Sequence, residues 1–329
     1  MPLCPHASPQ GCRPLQSRAS KGESVLLKFA LAGVLLFVAK PVHTHAQDQS
    51  AREAAPVVAE CRLFEPLTTS DGDEASTQNL RTRLLASYNA QSRLVRSLKT
   101  TAQVHIIRGP KFGKSAGKSK MMGAIMDFQQ PAWLRATGVA PPAGIRAFDM
   151  ASDGREFRLL APDHNKMTLF VGPAWSQPDF TAGSLNLRPQ EFLDALRWGE
   201  GKLTLAQLPP GSAEKEVETL KIDLPPRGGK SVTGKLRFDL AKGTVYSLTI
   251  YKADGGLISD IHYADWRLMS PQSSQSGEGC FPRRVQVIHE AEDFRIDIRF
   301  LEMILNPPID RARFRVSVPH GVPTVHVTE

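Results

Sequence analysis

Catalytic signatures are missing from this chain of 329 residues. No Gly-x-Ser-x-Gly elbow holds a serine nucleophile at a strand-to-helix turn, and no His-Glu-x-x-His pair is placed to bind zinc. His289 and Glu290 stand alone, and His105, His262, His320 and His326 are scattered among predicted strands without ligand spacing. Asp163-His164-Asn165 reads as a turn, and Asp260 and Asp265 alternate with apolar residues as outward strand positions do. Cysteine is scarce, four in all, with no Cys-x-x-Cys for redox or zinc chemistry. An enzyme is therefore not expected, and neither a metal nor a cofactor is called for. Also missing are a long linker and a second composition class, so one main domain is expected, although length alone allows two.

No apolar run is long enough for a comfortable membrane span, which needs about 20 residues. The nearest is Leu26 to Ala39, LLKFALAGVLLFVA, interrupted by Lys28. Basic residues precede it and the small-x-small sequence Thr44-His45-Ala46 follows, a pattern compatible with cleavage after Ala46. Residues 1–46 are read as a signal peptide with an extended, Pro- and Ser-rich leading region, 47–75 as a flexible lead-in, and 76–329 as the folded domain. Export to the periplasm is expected; a retained membrane anchor facing the same compartment is the alternative. Lipidation of Cys61 is disfavoured because Glu60 stands where a lipoprotein signal needs a small residue. Cleavage would leave Cys61 and Cys280, which in an oxidising compartment either pair or remain as two separate thiols.

The formal net charge is +8, with Lys and Arg interspersed among Asp and Glu. One dense basic stretch, Lys111 to Lys120, has glycines that approach a phosphate-binding loop. Their spacing is one residue short and no helix follows to supply its N-terminus. It reads as a solvated hairpin loop, with attraction to anionic headgroups as the functional alternative. Nucleic acid is not expected, since neither a recognition helix nor an interleaved aromatic strand accompanies the charge.

Periodicity predicts two helices among many strands. From about Ser76 to Leu98, Leu80, Leu84, Tyr88, Gln91, Val95 and Leu98 recur at helical spacing behind a Ser76 cap. Leu187 to Trp198 is the second, with Pro189 in its first turn and Phe192, Leu193 and Leu196 on one side. Predicted strands include Thr101 to Ile107, Met121 to Phe128, Lys166 to Val171, Val217 to Leu224, Lys235 to Asp239, Val245 to Tyr251, Leu257 to Trp266, Arg284 to Glu290, Phe294 to Leu301 and Phe314 to Val318. Turn chemistry separates them at Pro225-Pro226-Arg227-Gly228-Gly229, Ala241-Lys242-Gly243 and Asp254-Gly255-Gly256.

The chain is organised around Met126 to Pro162, four short strands in a meander. Trp133, Arg135 and Thr137 alternate with Leu134, Ala136 and Gly138, while Phe157 and Leu159 alternate with Glu156 and Arg158. Such alternation suits a sheet with one apolar and one wet face. Asp153-Gly154 marks a tight hairpin.

The order of these pieces, a Pro-x-x-Leu-Arg strand, then SDG, then FRLLAP, resembles the LolA/LolB-like superfamily of periplasmic lipoprotein carriers. Lys235 to Ile250, KLRFDLAKGTVYSLTI, and Arg311 to Val325, RARFRVSVPHGVPTV, extend the resemblance over roughly Leu80 to Val325. It implies a mainly β fold: an open, incompletely closed antiparallel barrel with helices covering the concave face. It implies acyl chains of a lipoprotein or another lipid as ligand, with an inner-membrane donor and an outer-membrane acceptor as partners. The apolar residues on the matching strands are Met126, Phe128, Leu134, Phe148, Phe157, Leu159, Leu248 and Ile250. The family's arginine before the strand proline is replaced by Gln130, which removes a charged lock on the lid. An envelope-stress sensor or interaction module of the RseB type, on a related fold, is the rival reading.

Overall fold

The computed structural model describes residues 61–65, 74–109, 118–141, 144–163, 166–176, 187–196, 202–203, 217–269 and 278–328, all within one compact unit, 55–329. The expected signal segment, most of the lead-in and the centre of the basic loop lie outside them.

Two meanders build one sheet. The first comprises β1 (Ser97–Arg108), β2 (Lys118–Gln129), β3 (Trp133–Ala140), β4 (Ile145–Ser152), β5 (Glu156–Asp163) and β6 (Lys166–Pro173). The second comprises β7 (Lys202–Leu203), β8 (Val217–Arg227), β9 (Lys230–Asp239), β10 (Thr244–Lys252), β11 (Leu257–Met269), β12 (Gly279–His289) and β13 (Phe294–Leu305). Helix α1 (Glu74–Leu94) precedes the first meander and α2 (Pro189–Leu196) precedes the second. Antiparallel pairing of β1 with β13 fuses them into a 14-stranded sheet in the order β14-β6-β5-β4-β3-β2-β1-β13-β12-β11-β10-β9-β8-β7. Its edges, β14 (Thr324–His326) and β7, do not pair with each other, so the barrel is open.

Alternation decides which face is buried. Along β3, Leu134, Ala136 and Gly138 are covered while Trp133, Arg135 and Thr137 are only partly so; β1, β9, β12 and β13 show the same period of two over much of their length. The inward residues of both meanders merge into one apolar core that includes Leu84 and Tyr88 of α1 and Phe192, Leu193 and Leu196 of α2.

Contacts of α2 show that the sheet curls. The helix touches β3 and β4 on one side and β12 on the other. In a flat sheet β4 and β12 would lie five strand spacings apart, about 24 Å. A helix of eight residues is about 12 Å long and 10 Å wide. Both groups of strands reach it because the sheet wraps around it, which makes the apolar face concave.

Several expectations are corrected. Helix α1 ends at Leu94, so Leu98 lies on β1 and packs inward from a strand. Strand β8 continues through Pro225-Pro226 with a register shift between Leu224 and Arg227, and Gly228 and Gly229, both at positive φ, make the turn. Glu290 belongs to a 3₁₀ turn, Glu290–Glu292, between β12 and β13. Phe314 to Val318 is not a strand. Arg311–Phe314 forms a 3₁₀ turn whose Phe314 ring packs on Trp133 at 5.7 Å between centroids. Val316 then joins Ala151, Leu160 and Leu169 in a smaller cluster on the outer face. The strand that does form there, β14, runs parallel to β6, so the sheet is antiparallel at every pairing except this one.

Candidate functional site

Cross-strand register explains why the eight motif-derived residues meet. Phe128 stands opposite Leu134, and Leu134 and Phe157 both stand opposite Ser152. One row along, Met126, Ala136, Met150 and Leu159 lie side by side on β2 to β5. Phe148 faces Gly138, whose missing side chain leaves room for the ring: a Cβ there would come within 2.1 Å of it. On the other meander Leu248 stands between Leu236 and Ile261, and Ile250 beside Gly234. All eight are 3% exposed or less and belong to the one core beneath the helices.

The two helices are held differently. At the C-terminus of α1, carbonyls that the helix itself cannot satisfy are met by side chains. Asn306 Nδ2 donates to Leu94 O at 2.6 Å, and Gln130 Nε2 donates to Ser92 O at 3.1 Å. Gln130 thus reaches the helix through a neutral hydrogen bond. Gln91 Nε2 donates to Cys280 O at 2.5 Å, and Arg81 Nε meets Glu218 Oε1 at 2.7 Å. Cys280 is joined to Cys61 by a disulfide with Cα atoms 5.6 Å apart, fastening the lead-in to the start of β12.

Helix α2 is instead held by buried charge. Arg227 on β8 donates to Asp194 at 2.7 Å, and Gln190 shares the same carboxylate at 2.6 Å. Arg188, just before the helix, forms an ion pair with Glu292 of the 3₁₀ turn. Glu191 Oε2 accepts from Arg188 N at 3.3 Å, while Glu191 Oε1 lies 3.2 Å from His289 Nε2, within ion-pair reach though off the line of a straight hydrogen bond. His289 Nδ1 is 2.8 Å from Ile258 O, and a carbonyl only accepts, so Nδ1 is assigned the proton. A second proton on Nε2 then faces Glu191.

Burial opposes that charge on His289. The Glu191 carboxylate, by contact and by its charge, outweighs burial and raises the imidazole pKa above its usual value; Arg188 opposes the shift and Glu292 assists it. Arg108, stacked 5.2 Å from the Phe294 ring centroid, has its pKa lowered by the same burial.

Arg188, Glu191, Asp194, Arg227, His289 and Glu292 are not legible as a set in the sequence. The one local signal is composition: α2 carries Glu191 and Asp194 within eight residues that are otherwise mostly apolar. Such carboxylates on a short buried helix require cationic partners from elsewhere in the chain.

Fold and site together define a class: an open, curled antiparallel barrel that keeps an apolar concave face beneath a capped helix and an ion-paired one. No family model matches the chain, and no curated protein matches it in sequence. Among solved structures it is similar to a LolA superfamily protein from Nitrosomonas europaea, at 12% identity, covering 70% of this chain and 97% of that one with a TM-score of 0.48. It is similar to a DUF1329 family protein from Desulfovibrio piger, at 12% identity, 72% and 96% coverage and a TM-score of 0.46. A putative outer membrane lipoprotein-sorting protein domain from Vibrio parahaemolyticus matches at 8% identity, 70% and 94% coverage and a TM-score of 0.44. Among the described residues no helix is long and apolar enough to cross a membrane, and no group of His, Cys, Asp and Glu is arranged to hold a metal.

Proposed function

We propose that the protein is a periplasmic carrier that shelters the acyl chains of a lipoprotein, or of another lipid, against its concave face. In this reading it works in outer-membrane lipoprotein sorting, taking cargo from an inner-membrane donor and passing it to an outer-membrane acceptor. The observation that carries the reading is the convergence of Met126, Phe128, Leu134, Phe148, Phe157, Leu159, Leu248 and Ile250, from two stretches far apart in sequence, on one apolar face. The ordered motifs on the same strands support it.

Phe192, Leu193 and Leu196 of α2 pack into the same apolar core. An acyl chain enters by displacing them, and each methylene removed from water contributes about 0.8 kcal/mol to its binding. Opening exposes the apolar side of α2 and parts the pairs Arg227–Asp194, Arg188–Glu292 and His289–Glu191, so release of cargo is favoured by reclosing the same contacts. Binding of this kind needs no covalent step.

Native mass spectrometry of the protein purified from its own host tests the proposal. The expected result is a lipid or lipoprotein adduct that is lost stoichiometrically on mixing with outer-membrane vesicles. Reproducible absence of any adduct, together with no uptake of a fluorescent fatty acid, would refute it.

A further inference from the structure

The opposite face of the sheet carries an arrangement that acyl binding does not use. Next to the seam of the two meanders, Arg284 on β12 and Arg299 on β13 are direct register partners. Their Cα atoms are therefore about 5 Å apart. Both side chains are exposed, and neither has a hydrogen-bond or ion-pair partner among the described residues. Like charges placed opposite one another weaken a sheet. They border a groove of about 420 Å³ that also touches Gln103, His105, His262 and Asp297.

The other polar groups of this groove are already engaged. Asp297 accepts from Gln286 at 2.7 Å and from Arg295 at 3.0 Å, so its negative charge is answered within the sheet. His262 Nε2 is 2.8 Å from Asp260, and His105 Nε2 is 2.5 Å from Ser119 Oγ. The two guanidinium groups and the Gln103 amide remain uncommitted, all on neighbouring strands, with Gln103 the register partner of Arg299.

We infer that Arg284 and Arg299, with Gln103 beside them, form a binding site for the dianionic phosphate of a phosphomonoester. Two planar guanidinium forks present paired N–H donors that match phosphate oxygens. A dianion between them turns their mutual repulsion into attraction to a shared partner. The groove exceeds what a bare phosphate fills, leaving space for the group that bears it. That group is either a small soluble alcohol or the glycerol of a phosphomonoester lipid. The inference does not depend on the acyl-binding proposal, since it concerns the other face of the sheet.

Calorimetric titration of the full chain with inorganic phosphate and with glycerol phosphate tests it, alongside flotation with phosphatidylcholine vesicles with and without phosphatidic acid. Saturable one-to-one binding of glycerol phosphate supports the site with a soluble ligand. Retention on phosphatidic acid vesicles alone supports it with a lipid source. In either case Arg284→Ala/Arg299→Ala should weaken binding by roughly tenfold or more, while its unfolding midpoint without ligand stays level or rises because a repulsive contact is gone. Arg299→Gln provides a milder variant with the same direction. Lys221→Ala/Lys230→Ala removes the same number of charges elsewhere and should change nothing. Absence of binding in both assays, binding that survives loss of both arginines, or equal loss in the lysine variant would overturn the inference.

Discussion

Gly138 and Phe148 show how closely the concave face is packed. The ring of Phe148 lies where any side chain at Gly138 would sit, so Gly138→Ala is predicted to cost about 1–3 kcal/mol through overpacking. Adding Phe148→Leu should recover part of that loss, since the ring is the clashing group. Chemical denaturation of the two variants checks this; additive costs would contradict it. Truncating a lining residue acts in the opposite way. Phe157→Ala leaves a cavity in the fully buried core and should cost about 3–5 kcal/mol. At this scale much was legible in the sequence, because alternation along Leu134, Ala136 and Gly138 marks the covered face. Alternation does not say which face of a strand meets which face of its neighbour. That came from register, which brought all eight candidates to one side.

Among the elements, α2 is held in part by a titratable contact, His289 with Glu191. His289 has a folded-state pKa above its ordinary value of 6.5 because Glu191 outweighs burial. A group with a raised folded pKa contributes stability that is fully present below the unfolded value and is lost as pH rises through the folded one. The groups that set the balance are Glu191, Arg188 and Glu292, with Arg108 close by. Hydrogen exchange in α2 is therefore predicted to accelerate, relative to α1, as pH rises from below 6.5 to well above it, beyond the ordinary effect of pH on exchange chemistry. His289→Gln should flatten this difference, and Glu191→Gln should do the same. An unchanged α2-to-α1 ratio across that range would contradict the tether.

Element boundaries were less legible than element types. The apolar stripe runs on from α1 through Val95 to Leu98, but Leu98 meets the core from β1 after the helix has ended at Leu94. Pro225-Pro226 reads as a turn, yet the glycines that follow take the positive φ and β8 absorbs the prolines with a register shift. Phe314 to Val318 alternates like a strand because Phe314 and Val316 both turn inward onto the outer surface of the sheet. The ion pairs of α2 join residues such as Arg188 and Glu292, which are 104 positions apart, and no local pattern records such a partnership.

For the whole molecule, one covalent link and one apolar core hold the fold together. The Cys61–Cys280 disulfide spans 219 positions in sequence. Its reduction should lower stability by about 2–5 kcal/mol and free the 61–65 segment, seen as a drop in unfolding midpoint on adding a reductant that Cys61→Ser/Cys280→Ser no longer shows. The central claim is that acyl chains lie against the concave face, and photo-crosslinking with a fatty acid carrying a photoreactive group near its tail tests it most directly. Peptide mapping should place the adducts on β2, β5 and β10, at or beside Met126, Phe128, Leu159, Leu248 and Ile250, and excess unlabelled fatty acid should abolish them. Adducts confined to outward residues such as Met121, Ile125 and Ile304, or labelling that competitor leaves unchanged, would contradict it.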